Sequence, residues 1–244
     1  MVMGGPALVL LVIIAAAWFV LPASVFRRPS ATESAKNSFR FSQIHELLRV
    51  RQFWIVCALS FTLTLMRETF NTWTVDFFKT EGGAEISTRI AAFLSTPFDA
   101  FGAVGIIFLG WLFGRISRDA RKRLLFVMLT ALSLLIWCLP LFFHLNLFLV
   151  TASVGLIGFL AYGPYSLLAG ILSVEIRGKE YVATVAGVVD GVGYIAGIFA
   201  GQYFGKIVDQ GGYKLGFHCL GVVTFVAAVL CLFLYSRSES QLSD

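Results

Sequence analysis

Charge is scarce in this sequence. Only 14% of its 244 residues are Asp, Glu, Lys or Arg, where a soluble domain carries roughly 25%. The 58% that are hydrophobic gather into uninterrupted stretches, each near the ~20 residues an α-helix needs to cross a bilayer. That arrangement excludes a soluble globular domain. No stretch shows the alternating pattern of a membrane β-barrel. Paired cysteines are missing too. Cys57, Cys138, Cys219 and Cys231 are scattered singly, and His45, His144 and His218 are equally dispersed. Without C-x-x-C or His/carboxylate spacing there is no metal motif and no disulfide framework, so the cysteines read as small packing residues. A nucleophile elbow and a phosphate-binding loop are also lacking. No cofactor is expected, and an enzyme is the least supported class.

What is present is a series of spans. The first apolar run covers about residues 7–22. Met1 to Pro6 hold no basic residue, so the charged leader of a signal peptide is absent and the run reads as a true span. A polar, basic segment follows at about 26–50, ending in an amphipathic piece, Phe41 to Val50, suited to the membrane surface. Six further spans are predicted near 52–78, 91–114, 123–143, 147–173, 182–208 and 215–236. Pro140 and Pro164 fall inside or near the ends of two of them, which membrane helices tolerate.

Basic residues set the orientation. Arg27, Arg28, Lys36, Arg40, Arg49 and Arg51 follow the first span, and Arg115, Arg118, Arg121, Lys122 and Arg123 follow the third. Arg177, Lys179 and Arg237 continue the series on alternate loops. The opposite loops hold only Lys79, Arg89, Lys206 and Lys214. The long basic segment and the C-terminus are therefore expected in the cytoplasm. The net charge of +5 follows from this topology and calls for no nucleic-acid partner.

Charges inside spans are costly unless paired or turned to a cavity. Arg67 lies deep in the second span, Asp99 in the third and Asp190 in the sixth. Arg67 has two readings: a structural ion pair, with Asp99 as candidate partner, or an anion site whose guanidinium forks onto phosphate or carboxylate oxygens. Glu68 points about 100° away around the helix and need not pair with Arg67. Asp99 and Asp190 read as structural or coupling residues, and Asp76 and Lys79 as interfacial.

Gly193, Gly197, Gly201 and Gly205 recur every four residues, preceded by Gly187 and Gly191. Such a stripe predicts close helix packing, or a surface on which helices rock. After the third span, Gly110, Gly114, Arg115, Arg121, Lys122 and Arg123 resemble the cytoplasmic loop motif of the major facilitator superfamily, with Gly114 at the usual acidic position.

More specific stretches are Leu65 to Trp73, Asp99 to Gly105 leading into Gly110 and Trp111, Gly158 to Pro164, and Ala186 to Gly197. With them the chain, from about Ala7 to Tyr235, resembles the C-terminal half of an organophosphate:phosphate antiporter, the glycerol-phosphate and hexose-phosphate transporter branch of that superfamily. The resemblance implies an all-α integral membrane fold of about seven transmembrane helices: helix six of twelve, then the C-terminal six-helix bundle. Residues 1–25 would end the N-terminal half, 26–51 form the cytoplasmic basic linker, 52–238 the bundle and 239–244 the cytoplasmic tail. It implies alternating access between two halves around a midplane site. Arg67 matches the family's C-terminal phosphate-holding Arg, and Glu68, Trp73, Asp99 and Tyr162 are expected at the same substrate site. The implied partners are the lipid bilayer, a small anionic solute, inorganic phosphate and an N-terminal half, in a bacterial inner membrane. Glu68, Val75, Asp76 and Asp99 depart from the family pattern. Two alternatives stand beside exchange, a proton-coupled symporter using Glu68, Asp99 or Asp190, and a sugar-phosphate sensor with negligible flux.

Overall fold

A computed structural model describes residues 48–83, 86–143, 145–168 and 182–234, all within one compact unit, Phe41–Asp244. The first apolar run, most of the basic segment and the tail at 239–244 lie outside the described residues. Every regular element described is helical: α1 (Arg51–Gly82), α2 (Thr88–Phe113), α3 (Arg118–Phe143), α4 (Leu147–Leu167), α5 (Val182–Ile198), a π-helical turn (Phe199–Tyr203) and α6 (Phe204–Cys231). Five helical stretches are long and apolar enough to cross a membrane. The last, Ala183–Cys231, runs to 49 residues, too long for one crossing of about 20 residues. Gly212 divides it, with φ 69° and ψ −179° inside α6. Only glycine enters that backbone region without strain, so the chain turns there and the stretch makes two crossings. The described residues thus hold six crossings, near the six spans expected from residue 52 onward. The expected ends at 169–173 and 235–236 lie outside the described residues.

Local chemistry sets the helix ends. α1 stops at Gly83, φ 60°, another position suited to glycine. The Ile90 backbone N–H donates to the Ser87 side chain at the start of α2. The Phe148 N–H donates to Asn146 Oδ1 at 2.8 Å at the start of α4. Both caps satisfy N–H groups that have no partner within the helix. At the far end of α2, Arg121 Nε donates to the Phe113 carbonyl at 3.0 Å, and the Arg115 guanidinium lies 4.1 Å from the Trp111 ring centroid. Two residues of the basic loop motif thereby fold back onto the helix that precedes them.

α1 is the hub, packed against α2, α4, α5 and α6, while α3 packs against α4 and α6. Within hydrocarbon, helices associate through close packing and interhelical hydrogen bonds rather than exclusion of water. Phe70 stacks between Phe98 of α2 and Phe217 of α6, with centroids at 5.4 and 5.6 Å. Phe77 meets Phe217 edge-on at 5.0 Å. Ser133 Oγ ties α3 to α6 by donating to the Gly221 carbonyl at 2.7 Å. Cys57 and Cys231 are buried, Cys138 is half-buried and Cys219 exposed, all as free thiols.

The glycine series differs from expectation. A Cβ at Gly193 would stand 2.7 Å from Ser60 Oγ, and one at Gly205 would stand 3.0 Å from the Trp73 ring. Nothing lies within 4 Å of a Cβ at Gly187, Gly191, Gly197 or Gly201, so those four meet none of the described helices closely. The reason is geometric, because a four-residue repeat precesses about 40° per step around an α-helix. The face that meets α1 is instead Val185, Val189, Gly193, Ala196 and Ala200. The wider π-helical turn takes back part of the drift and brings Gly205 against Trp73.

The closest seam is between α2 and α4. A Cβ at Gly105 would come within 2.6 Å of the Phe159 carbonyl oxygen, and one at Gly158 would run into the Phe98 carbonyl. Gly102 makes room for the Tyr162 ring in the same way. These glycines let two backbones approach and so fix Tyr162 against α2.

Candidate functional site

Where α1, α2 and α4 meet, a polar cluster interrupts the apolar bundle. Arg67 and Asn71 sit four residues apart on α1 and share a face. Asp99 comes from α2, and Tyr162 and Tyr165, three residues apart, come from α4. The Tyr162 hydroxyl donates to Asp99 Oδ1 at 2.8 Å and accepts from Asn71 Nδ2 at 3.2 Å. The Arg67 guanidinium lies over the Tyr165 ring at 4.4 Å and near the Tyr162 ring at 5.9 Å, a cation–π arrangement that holds its plane. Beneath the cluster the Tyr162 ring packs on Phe98 at 5.4 Å, itself stacked on Phe70.

Arg67 pairs with Glu68, not with Asp99. Its Nη2 and Nε both donate to Glu68 Oε1, at 2.9 and 3.3 Å. The Cβ directions of adjacent residues diverge by about 100°, but two long side chains reach across that angle. Arg67 is 15% exposed and Glu68 35%, so the pair sits at the rim of the packed region with access from outside it. Asp99 is exposed, and its hydrogen bond goes to Tyr162. Asp190 stays half-buried on α5 and joins none of these bonds.

Four of the five expected site residues, Arg67, Glu68, Asp99 and Tyr162, are thus brought together, and Trp73 is not. Trp73 lies six residues beyond Arg67, about 120° around the helix, and turns toward α5 and the π-helical turn. Its indole N–H donates to the Ala200 carbonyl at 2.8 Å, and its ring packs on Gly205 and Phe204. Trp73 is therefore a packing residue of the opposite seam. Asn71 and Tyr165 belong to the cluster although the sequence reading passed over them. Their helical spacing from Arg67 and Tyr162 was the available signal.

Chemically, the cluster offers a guanidinium with planar donors, an amide, two phenols and two carboxylates. Such a fork recognises the oxygens of a phosphate or carboxylate group. Among the described residues no group of His, Cys, Asp and Glu is arranged to hold a metal ion. A shallow recess on the exposed face of α2 is lined by Val104, Ile107, Phe108 and Trp111. All four are apolar, so it offers nothing to an anion.

Comparison with known proteins bears on the family. The profile of the Major Facilitator Superfamily matches residues 1–201. A probable hexose phosphate transport protein of Chlamydia pneumoniae is 28% identical over 190 residues, covering 76% of this chain and 40% of that protein. A putative glycerol-3-phosphate transporter of Arabidopsis thaliana is 30% identical over 161 residues, covering 61% of this chain and 29% of its own length. The hexose-6-phosphate:phosphate antiporter of Escherichia coli strain K12 is 29% identical over 168 residues, 68% of this chain and 35% of that protein. The chain therefore spans well under half the length of these curated relatives. An all-helical membrane bundle, matched over most of its length by one profile, leads to a single assignment: this chain is an integral membrane protein of the Major Facilitator Superfamily.

Proposed function

We propose that residues 52–238 act as the C-terminal six-helix bundle of a secondary transporter, not an enzyme, that exchanges a phosphorylated organic anion for inorganic phosphate by alternating access. Residues 1–25 are read as the last helix of the N-terminal half, 26–51 as the cytoplasmic linker and 239–244 as a cytoplasmic tail. The observation that carries the reading is Arg67, a mostly buried guanidinium deep in a membrane helix, within a polar cluster contributed by three helices. A cation is retained at that depth when it is paired or faces a pathway or an anionic ligand, and Arg67, paired with Glu68, keeps access from outside the packed region. The relatives named above, transporters of hexose phosphate or glycerol phosphate, supply the solute class. A sugar or glycerol phosphate and inorganic phosphate present the same oxygens, so one fork serves both in turn. The second half of the site then comes from an N-terminal bundle. The distribution of Lys and Arg supports a cytoplasmic C-terminus, and the bacterial relatives support an inner membrane.

A second reading, proton-coupled symport, is favoured by the two carboxylates, Glu68 and Asp99, within the cluster. Uptake into membrane vesicles from cells carrying the gene as it stands in its genome separates the two. Exchange predicts uptake of labelled glycerol 3-phosphate or glucose 6-phosphate that requires phosphate on the opposite face and survives a protonophore. Uptake that ignores opposite-face phosphate and collapses with the protonophore would overturn it.

A further inference from the structure

The Arg67–Glu68 pair bears on which phosphate compounds the site accepts. One carboxylate oxygen, Glu68 Oε1, takes both Nε and Nη2 of Arg67. Those bonds occupy the side edge of the guanidinium. Neither bond to Glu68 uses Nη1, on the other edge of the guanidinium. The fork therefore keeps its directional donors while its charge is matched by a carboxylate only 2.9 Å away. For a ligand bonded to the guanidinium, the neighbouring carboxylate offsets part of the attraction. Asp99, held on Tyr162, then leaves the described cluster with one cation and two carboxylates.

We propose that Glu68 makes this site selective for phosphate groups bearing one negative charge, diesters or singly protonated monoesters, over dianionic monoesters. The proposal rests on the reading of Arg67 as the anion ligand. Hydrogen bonds from the guanidinium are available to either charge form, whereas the negative charge that Glu68 adds penalises a dianion twice as strongly as a monoanion. Removing the Glu68 charge without changing its size restores the positive field of Arg67, and the dianion gains more from it.

The ionisation that matters is the ligand's own. A phosphate monoester loses its second proton near pH 6, while a diester has no ionisation between pH 5.5 and 8. Among the described residues, the charged and titratable groups around the site are Arg67 and Glu68 on α1, Asp99 on α2, and Tyr162 and Tyr165 on α4. Asp190 is half-buried on α5, and α6 meets α1 through Tyr213, whose hydroxyl donates to Asp76. Only a ligand with an ionisation in that window distinguishes charge selection from titration of these groups, and the diester serves as the control.

The test measures inhibition of labelled-phosphate exchange, or ligand-induced thermal stabilisation of the purified protein, from cells carrying the gene as it stands in its genome. The probes are glycerol 3-phosphate and its methyl diester, between pH 5.5 and 8. For the native protein, apparent affinity for the monoester should rise about tenfold as the pH falls, while affinity for the diester stays level. In Glu68→Gln the monoester profile should flatten, with affinity at pH 8 raised about tenfold and the diester changed by no more than about threefold. A native protein that binds the monoester best at pH 8, or a monoester-to-diester ratio that Glu68→Gln leaves unmoved, overturns the proposal. The native pH profile decides it alone if Glu68→Gln fails to fold. Should neither compound compete with phosphate or stabilise the protein at any pH, the reading of Arg67 falls as well. Binding of both with an unmoved ratio removes only the charge selection.

Discussion

The two sides of α1 carry polar side chains for different ends. Toward α5, Ser60 Oγ donates to the Val189 carbonyl at 3.0 Å and the Trp73 indole donates to the Ala200 carbonyl at 2.8 Å. Both bonds end on the backbone of the neighbouring helix and are shut in by packing. Toward α2 and α4, Arg67, Glu68 and Asn71 bond to other side chains, and those side chains bond to one another. A side chain that bonds a neighbour's backbone fastens helices together. A set of half-exposed side chains bonded mutually can exchange one partner for a ligand at small cost, because each lost bond is replaced by another. Partner type, more than polarity, separates the fastening side of α1 from the binding side.

Several substitutions sharpen or break that contrast. The largest effect is expected at the seam that supports the binding side. Gly158→Val would drive a side chain into the Phe98 carbonyl, costing about 3 kcal/mol or more as an overpacked contact and visible as early thermal unfolding in detergent. Tyr162→Phe removes the hydroxyl between Asn71 and Asp99. It should weaken apparent affinity for the phosphate compound about tenfold, equivalent to about 1.4 kcal/mol, with little change in Tm. On the fastening side, Trp73→Phe deletes the bond to Ala200. Stability should fall by about 1 kcal/mol while the ratio of affinities among phosphate compounds stays fixed. A change of that ratio in Trp73→Phe would erase the division between the two sides. Smallest of all, Gly201→Ala meets open space and should be neutral or stabilising by a few tenths of a kcal/mol.

The spans were readable in the sequence because hydrocarbon imposes a length and an apolar composition on every crossing. α1 begins within a residue of the expected start and α4 at it, while α2 begins three residues and α3 five residues before theirs. Arg67, Asp99 and Tyr162 could likewise be picked out, since polar groups at depth are rare enough to stand alone. What failed was direction around the helix axis. The regular spacing of Gly193 to Gly205 reads as one stripe only if drift is ignored, and the π-helical turn at Phe199–Tyr203 that takes back part of that drift is announced by nothing local in the sequence. The glycines that do admit close backbones, Gly105 and Gly158, are separated by more than 50 residues of chain, and only the fold pairs them. Trp73 was assigned to the site by resemblance, yet its angular position relative to Arg67 already pointed away. Glu68 shows the reverse error, in which a correct backbone angle understated the reach of two long side chains. In the loop motif, Arg121 is spent on the end of α2, a role set by where that helix stops.

The central claim is that the guanidinium of Arg67 is the anion ligand. Exchange of labelled phosphate against unlabelled phosphate, in vesicles carrying either the native protein or Arg67→Lys, tests it most directly, with thermal unfolding measured alongside. Lysine keeps the positive charge and loses the planar fork. The account predicts that exchange falls by about 100-fold or more while the variant stays folded, the scale expected when an oriented charge-assisted pair is lost. Exchange at the native rate in folded Arg67→Lys would contradict it, and would leave the polar side of α1 with a structural role alone.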